Sequence, residues 1–191
     1  MPPKTTVSSA DELIDDFRDP DGRSRLGTHW RLVTDTVMGG VSSARMSFTA
    51  ANGRRALCVE GEVKLEHNGG FLQANLDLTN QGRPLDASDF TGLRLIVCGN
   101  GERYNLHLKS RDCALPWQAY RATFVAGPDW QEIRIPFEHF TPNRLSAPLA
   151  ADQLTQLGLV AIGRAFHAQV CVAEVGWYRG LDAESAPSPC G

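Results

Sequence analysis

An all-β fold, built as an antiparallel sandwich or barrel, is the fold class that this 191-residue sequence predicts. Many short segments alternate apolar and polar residues, and Gly, Asn, Asp and Pro residues separate them at fairly even spacing. An α/β fold would need amphipathic helices between the strands, and the pattern does not supply them. The apolar faces of the alternating segments would meet as a core between two sheets.

The strands can be predicted one by one along the chain. Residues 104–109 alternate strictly between apolar and polar side chains, which is typical of a half-buried strand. Residues 93–98 are nearly all apolar, as expected for a central strand. Pro136 cannot donate to a ladder, so the strand at residues 131–137 should end there or lie at an edge. The predicted strands are 56–60, 62–66, 71–76, 93–98, 104–109, 119–125, 131–137 and 170–177.

Turn residues predict how the strands are joined. Gly99-Asn100-Gly101-Glu102 lies between two strong strands and indicates a hairpin. His67-Asn68-Gly69-Gly70 indicates a second hairpin by the same argument. Short helical turns are predicted at residues 9–12 and 151–154.

Composition predicts three parts of the chain and excludes several classes of protein. Residues 1–10 are polar and residues 182–191 are rich in Pro and Ser, so we expect a flexible N-terminus, a single domain over residues 11–181 and a disordered C-terminal tail. The net charge of −3 provides no general field for nucleic acid. No apolar run could span a bilayer, and the first residues do not resemble a signal peptide. The prediction is a cytoplasmic protein without a nucleic-acid partner and without membrane insertion.

The five cysteines are widely spaced and include no C-x-x-C pair. A zinc knuckle and a thioredoxin-like site are therefore not indicated. Cys58, Cys98 and Cys171 lie in apolar, strand-like segments, where a small buried apolar residue is the expected role.

Two paired glycines, Gly39-Gly40 and Gly69-Gly70, indicate places where a Cβ atom would not be tolerated. Neither pair has the surroundings of a phosphate-binding loop or of a dinucleotide fingerprint. Asp35, just before the first pair, is expected to organise the loop by accepting backbone N–H groups. The Ser42 hydroxyl is expected to cap local backbone rather than to act as a nucleophile.

A polar strand face is the candidate binding surface. The outward residues of the strand at 104–109 are all hydrogen-bond formers and could line the concave face of a sandwich. Trp117 could provide a stacking platform for a sugar ring or for a side chain of a partner. The alternative is a merely solvated sheet face. The candidate residues are Arg94, Asn105, His107, Lys109, Trp117, Gln118 and Tyr120.

No catalytic or metal site is expected. Glu60, Glu62 and Glu66 share one side of an extended segment, but Lys64 between them favours a solvated face over a pair of glycosidase acids. The five histidines are scattered, without the spacing of metal ligands. A G-x-S-x-G nucleophile elbow is also missing. We therefore predict no enzyme activity, no metal and no cofactor.

Five motifs in a fixed order resemble those of the complex I intermediate-associated protein family. These proteins are the thirty-kilodalton assembly factors of mitochondrial NADH:ubiquinone oxidoreductase and their bacterial relatives. The likeness extends over about residues 13–180, and Asn100 stands where the family pattern has Asp. The motifs are Trp30 with Asp35-x-x-Met38-Gly39-Gly40-x-Ser42, Asn68-Gly69-Gly70-Phe71, Gly99-Asn100-Gly101-Glu102-Arg103-Tyr104, Trp117-Gln118-Ala119-Tyr120, and residues 130–137, beginning with Trp130, followed by Phe140.

The resemblance implies a galactose-binding-like jelly roll with binding or assembly activity rather than catalysis. A protein client is the implied partner, and the role would be that of a chaperone-like assembly factor for a respiratory or other complex. The alternative is a carbohydrate-binding module that uses its concave sheet face. An exposed apolar patch near Met38 or Trp117 would favour the first hypothesis, and a groove with exposed aromatic and flanking polar side chains would favour the second. The large rings of the motifs are expected in the core.

Overall fold

Two antiparallel sheets face each other across an apolar core, which confirms the predicted fold class. The structure is a computed structural model that describes residues 11–180, so the predictions for residues 1–10 and 182–191 lie outside the described residues. Within residues 11–180, no helical segment has the length and apolar character needed to cross a membrane. The strands are β1 (Asp11–Asp15), β2 (Trp30–Thr34), β3 (Ser43–Ala51), β4 (Arg54–Val63), β5 (Phe71–Asp77), β6 (Gly92–Gly99), β7 (Arg103–Ser110), β8 (Ala119–Val125), β9 (Gln131–Pro136), β10 (Thr141–Asn143), β11 (Leu154–Ile162) and β12 (Phe166–Tyr178).

Sheet I has the strand order β3-β4-β12-β6-β9, and β1 pairs with the end of β12 beyond β4. Sheet II has the order β10-β8-β7-β11-β5-β2. The long central strand β12 pairs with β6 on one side and with β4 and then β1 on the other. As predicted, β9 ends at Pro136, and it forms an edge of sheet I.

The core lies where the inward faces of the two sheets meet. Tyr104, Leu106 and Leu108 of β7 are fully buried, while the residues between them point to the outside of sheet II. The Tyr104 ring is buried, and its hydroxyl donates to the side chain of Asn100 at 2.6 Å. Other large members of the core are Leu57, Val59, Leu72, Leu76, Leu93, Leu95, Val97, Leu157, Val170, Val172 and Trp177.

Both predicted hairpins are wrong, because the strands that they join belong to different sheets. β6 lies in sheet I and β7 in sheet II, so the turn at residues 99–102 carries the chain across the sandwich. The turn at residues 67–70 does the same between β4 and β5. Gly and Asn residues permit a sharp reversal, but they do not decide whether the flanking strands pair.

Three other local predictions also need correction. The two strands predicted at 56–60 and 62–66 are one strand, β4, followed by a 3₁₀ turn at Glu66–Asn68. Residues 11 and 12 belong to β1 rather than to a helical turn. Residues 151–153 form a short turn, but Leu154, the last residue of the predicted helical turn, already belongs to β11. At residues 11–12 and at Leu154, strand pairing prevails over a weak local helical preference.

Cys58 and Cys171 form a disulfide, so the expectation that they are simple buried apolar residues is wrong. They are directly opposite each other on β4 and β12. Both are only partly buried, on the outward side of sheet I. Cys98 is a buried free cysteine, as expected, and it is directly opposite Cys171 on the other neighbouring strand. The sequence separation of 113 residues gives no hint of this pairing.

Asn100, which replaces the Asp of the family pattern, joins the two sheets. Its Nδ2 donates to the carbonyl of His167 at 2.8 Å, and its Oδ1 accepts from Tyr104. A carboxylate has no N–H donor and could make only one of these bonds. We expect Asn100→Asp to lower the free energy of unfolding by about 1 kcal/mol, measured by urea denaturation. An unchanged urea midpoint would contradict this role.

Candidate functional site

The carboxylate of Asp35 is the centre of the first glycine motif. Asp35 is fully buried and begins a 3₁₀ turn, Asp35–Met38, directly after β2. It accepts hydrogen bonds from the Ser42 N–H at 3.0 Å, the Ser42 hydroxyl at 2.5 Å and the Gly70 N–H at 2.5 Å. The Ser42 hydroxyl in turn accepts from the Lys64 N–H. One carboxylate therefore ties three separate segments together.

The paired glycines make room for this carboxylate. A Cβ at Gly69 would lie 2.5 Å from Asp35 Oδ2, and a Cβ at Gly40 would overlap the carboxyl group as well. Both residues must therefore be glycine for close approach. Gly39, the other member of the first pair, has a different role: it ends the 3₁₀ turn with a φ of +84°, which a residue with a side chain rarely adopts.

The charge of Asp35 is stabilised by its hydrogen-bond donors. Burial alone would raise the pKa of Asp35. The hydrogen bonds from Ser42 and from the Gly70 backbone more than offset burial, so the pKa lies below its ordinary value. Asp35 is thus a charged anchor at neutral pH, with the geometry of a loop organiser.

Four exposed apolar side chains surround this anchor, and we call them the apolar tip: Val37, Met38, Val41 and Leu65. Val37 is 71% exposed and Met38 is 63% exposed. Eight large apolar side chains are exposed among the described residues, and half of them belong to the tip. Leu65 lies over Gly70, since a Cβ at Gly70 would come 2.7 Å from Leu65 Cδ2. The segments that carry the tip are those tied together by Asp35.

The outward side of sheet II forms a second surface, which we call the polar face. Its central row crosses five strands, with each residue directly opposite the next: Arg121, His107, Gly158, Asn75 and Arg31. Thr123, Asn105 and Gln73 belong to the row on one side of this central row. Lys109 and Gln156 belong to the row on its other side. Near the apolar tip the same side of the sheet becomes apolar, where Ile162 is directly opposite Phe71.

His107 is buried although it points to the outside of the sheet. It is 6% exposed, and its Nε2 has no hydrogen-bond partner among the described residues. Burial, together with the positive charges of Arg121 and Lys109, lowers the pKa of His107 to about 3. The imidazole is therefore neutral near pH 7 and offers a hydrogen-bonding group rather than a charge.

The structure brings together only part of the predicted surface. Asn105, His107 and Lys109 share the polar face. Trp117 lies at the rim of the polar face, and its side chain is 56% exposed. The side chain of Asn143 donates a hydrogen bond to the Trp117 carbonyl. Gln118, beside it, donates to the Arg144 carbonyl.

Two predicted members lie elsewhere and are corrected. Tyr120 points into the core and is fully buried, with its hydroxyl donating to the Ala147 carbonyl at 2.9 Å. Arg94 is on the outward side of sheet I, where Glu132 and Glu174 pair with it. The alternation of β8 could have excluded Tyr120, because Tyr120 shares its side with the apolar Ala122 and Phe124.

Several residues of the polar face were not predicted. Arg121 and Thr123 could have been predicted from the alternation of β8, because they lie on the side opposite to Ala122 and Phe124. Gln156, Gly158, Gln73 and Asn75 depend on the placement of β11 and β5 beside β7, for which the sequence carries no local signal.

The large rings of the motifs differ in burial. Trp30 is buried, packs against Phe17 and donates its indole N–H to Asp15 at 2.8 Å. Phe140 and Trp177 are also in the core. Phe71 and Trp130 are only half-buried, contrary to expectation. Phe71 lies on the outer side of sheet II, and Trp130 donates to the Asn52 carbonyl.

Known structures with the same fold include carbohydrate-binding modules. The chain is similar to the family 11 carbohydrate-binding module of a cellulosomal cellulase of Clostridium thermocellum, with a TM-score of 0.70, 13% identity, and coverage of 92% of this chain and 98% of that one. A structure of the family 11 module from Clostridium thermocellum in complex with a β-1,3-1,4-mixed-linked tetrasaccharide matches with a TM-score of 0.69 and 14% identity, covering 90% and 96%. A family 30 carbohydrate-binding module matches with a TM-score of 0.54 and 16% identity, covering 76% and 78%. At this identity the likeness concerns the fold.

Sequence comparison gives the family. No curated protein matches the chain at a significant level. The family model described as Complex I intermediate-associated protein 30 matches residues 16–170, which include the Asp35 anchor, both glycine pairs and all the named residues of the polar face. The chain therefore belongs to the complex I intermediate-associated protein 30 family.

Proposed function

We propose that this protein is a non-catalytic, assembly-factor-like binding protein whose client docks on the apolar tip. The observation that carries the proposal is the concentration of exposed apolar side chains on a loop that a buried carboxylate holds in place. Exposed apolar surface is costly in water unless a partner covers it. Family membership supports a protein as that partner.

The surroundings of the tip suit an apolar protein segment. Phe71 and Ile162 are half-buried and directly opposite each other at the adjoining end of sheet II. They extend the apolar surface of the tip onto the sheet. Because Asp35 fixes the loop beforehand, little conformational entropy is lost when the client binds. The client is proposed to be an unassembled subunit that exposes apolar surface until its complex is complete.

A double variant tests the tip directly. We expect Val37→Ser with Met38→Ser to weaken client binding at least about tenfold, since each large apolar side chain that is buried contributes about 1.5–3 kcal/mol. The client would first be identified by affinity capture from the native cell, and binding of the purified client would then be measured by titration calorimetry. Because both side chains are exposed, the thermal unfolding temperature should not fall.

Leu115→Ser is the control variant, because Leu115 is an exposed apolar residue outside the tip. It should bind the client as the unmodified protein does. Equal affinity of the tip variant and the control would contradict docking on the tip. Recovery of respiratory-complex subunits in the capture step would support the assembly role.

Saccharide binding by the polar face is the second candidate function. The observation in its favour is a sheet face rich in amide and basic side chains, with an exposed Trp117 at its rim. Carbohydrate-binding modules share this fold, and one of them is known in complex with a tetrasaccharide. This function and client docking use different ends of sheet II, so each can be tested alone.

A further inference from the structure

Three cations gather at the end of the polar face that lies away from the apolar tip. Lys109 and Arg121 flank His107, and burial together with the nearby positive charge of Arg144 lowers the pKa of Arg121. Among residues 11–180, none of the three forms an ion pair with a carboxylate. Asp77, the acid in the same row of the polar face, is two strands away from Lys109 and accepts from Thr79.

The outer side of sheet I shows the opposite arrangement. Arg45 pairs with Glu60, Arg94 with Glu132 and Glu174, and His167 with Glu62. These basic side chains on the outer side of sheet I are therefore paired with acids, whereas the three cations of the polar face are not. An unneutralised cluster is an electrostatic site for an anion.

Two buried polar atoms of this cluster lack partners. His107 Nε2 and Arg121 Nε have no hydrogen bond within the described part of the chain. Buried polar groups of this kind are normally satisfied, because leaving one without a partner is unfavourable. Arg121 Nε is a donor, and the neutral imidazole can donate or accept, so a ligand with both charged and hydroxyl oxygens would satisfy them.

The surface beside these groups is polar. Gly158 lies between His107 and Asn75 in the central row, and its lack of a side chain makes room for two amides. A Cβ there would come 2.8 Å from Asn75 Oδ1 and 2.9 Å from Gln73 Nε2, and Gln73 Nε2 donates to Asn75 Oδ1 above the glycine. Amide side chains can both donate to and accept from neighbouring hydroxyl groups of a sugar. Trp117 at the rim offers an aromatic surface on which a sugar ring could stack.

We propose that the polar face binds an anionic saccharide, whose carboxylate, sulfate or phosphate group contacts Arg121 and Lys109 and whose hydroxyl groups contact His107, Asn75 and Gln73. This inference rests on the second candidate function and names the ligand class of that surface. A saccharide fits better than an acidic peptide, because the polar end of the face offers hydrogen-bonding side chains, whereas the anchoring side chains of a peptide are usually bound in apolar pockets.

Titration calorimetry on the full chain tests the proposal with four probes: an oligogalacturonate, a sulfated oligosaccharide, a neutral β-1,3-1,4-linked tetrasaccharide and an oligoglutamate peptide. We expect at least one of the anionic saccharides to bind about tenfold or more tightly than the neutral one. Raising the ionic strength should weaken that binding. Which anionic saccharide binds more tightly distinguishes a carboxylate from a sulfate site.

Arg121→Gln should lower the affinity for the anionic saccharide by about tenfold, because a charge-assisted hydrogen bond is lost. Lys109→Gln is a second variant with the same expected direction, for the case in which Arg121→Gln folds poorly. Arg45→Gln is the matched control, since Arg45 is an exposed cation on sheet I that pairs with Glu60. It should bind as the unmodified chain does.

The outcomes distinguish a preference for anionic saccharides from saccharide binding in general. Equal binding of neutral and anionic saccharides would overturn the inference and leave saccharide binding intact. Binding of the peptide alone would overturn both and indicate a protein ligand for this face. No binding of any probe would also overturn both.

Discussion

Replacing Cys58 and Cys171 together by serine is expected to lower the free energy of unfolding by about 4–5 kcal/mol. The bridge closes a loop of 113 residues and links β4 to β12 in the middle of sheet I. A cross-link over so long a loop restricts the unfolded chain strongly, and this is the main source of the stabilisation. Urea denaturation of the oxidised protein and of the double variant would measure the difference.

Cys113→Ser is the control, because Cys113 is a free cysteine of intermediate burial. It should leave the urea midpoint nearly unchanged. A double variant as stable as the oxidised protein would show that the bridge does not stabilise the fold. The bridge also bears on the cytoplasmic prediction, since disulfides persist in oxidising compartments and are rare in the cytosol. Alkylation and mass spectrometry of protein taken directly from its cell would show which state it adopts there.

Asp35→Ala is expected to lower the free energy of unfolding by about 4 kcal/mol and to abolish client binding. The substitution leaves the Ser42 and Gly70 N–H groups without their acceptor in a buried place. Each unsatisfied group costs about 1–3 kcal/mol, and the empty space adds to the loss. Asp86→Ala is a close control, because Asp86 also accepts from a serine N–H and hydroxyl but is exposed. It should lose much less stability and bind the client normally.

The same anchor predicts a pH dependence. The pKa of Asp35 is lower in the folded protein than in the unfolded chain, so its contribution is complete above the unfolded value of about 4. That contribution is lost as the pH falls through the folded pKa. The stability difference between the unmodified protein and Asp35→Asn should therefore be smaller at pH 3 than at pH 6. A difference that is independent of pH would contradict a charged Asp35.

The fold class could be predicted because alternation within strands reports directly on which side faces the core. Residues 104–109 show this clearly, and β7 adopts the predicted sides. Strand pairing could not be predicted, because it depends on contacts between distant segments. The turns at residues 67–70 and 99–102 have the composition of hairpins, yet both cross between sheets. The same lack of long-range information concealed the Cys58–Cys171 bridge.

The candidate site shows a similar division. The loop containing Asp35 could be recognised from the sequence, because Asp35 is close to Gly39-Gly40 and because Gly69-Gly70 forms a second glycine pair. The polar face is assembled from β2, β5, β7, β8 and β11, and only the β7 residues were recognisable as a set. Arg94 and Arg121 both lie within strands, so the sequence alone does not tell them apart. Arg94 belongs to sheet I and pairs with Glu132, whereas Arg121 belongs to sheet II and its Nε has no partner among the described residues.

Site-specific photo-crosslinking in the native cell would show whether a client docks on the apolar tip. A photoreactive residue would replace Met38 in the apolar tip or Leu115 at the other end of sheet II. We expect one recurrent protein client to be captured from position 38 and not from position 115, and this capture to be lost when Asp35→Ala is added. Capture of the same proteins from both positions, or from position 115 alone, would contradict a tip that the buried carboxylate holds ready for its client.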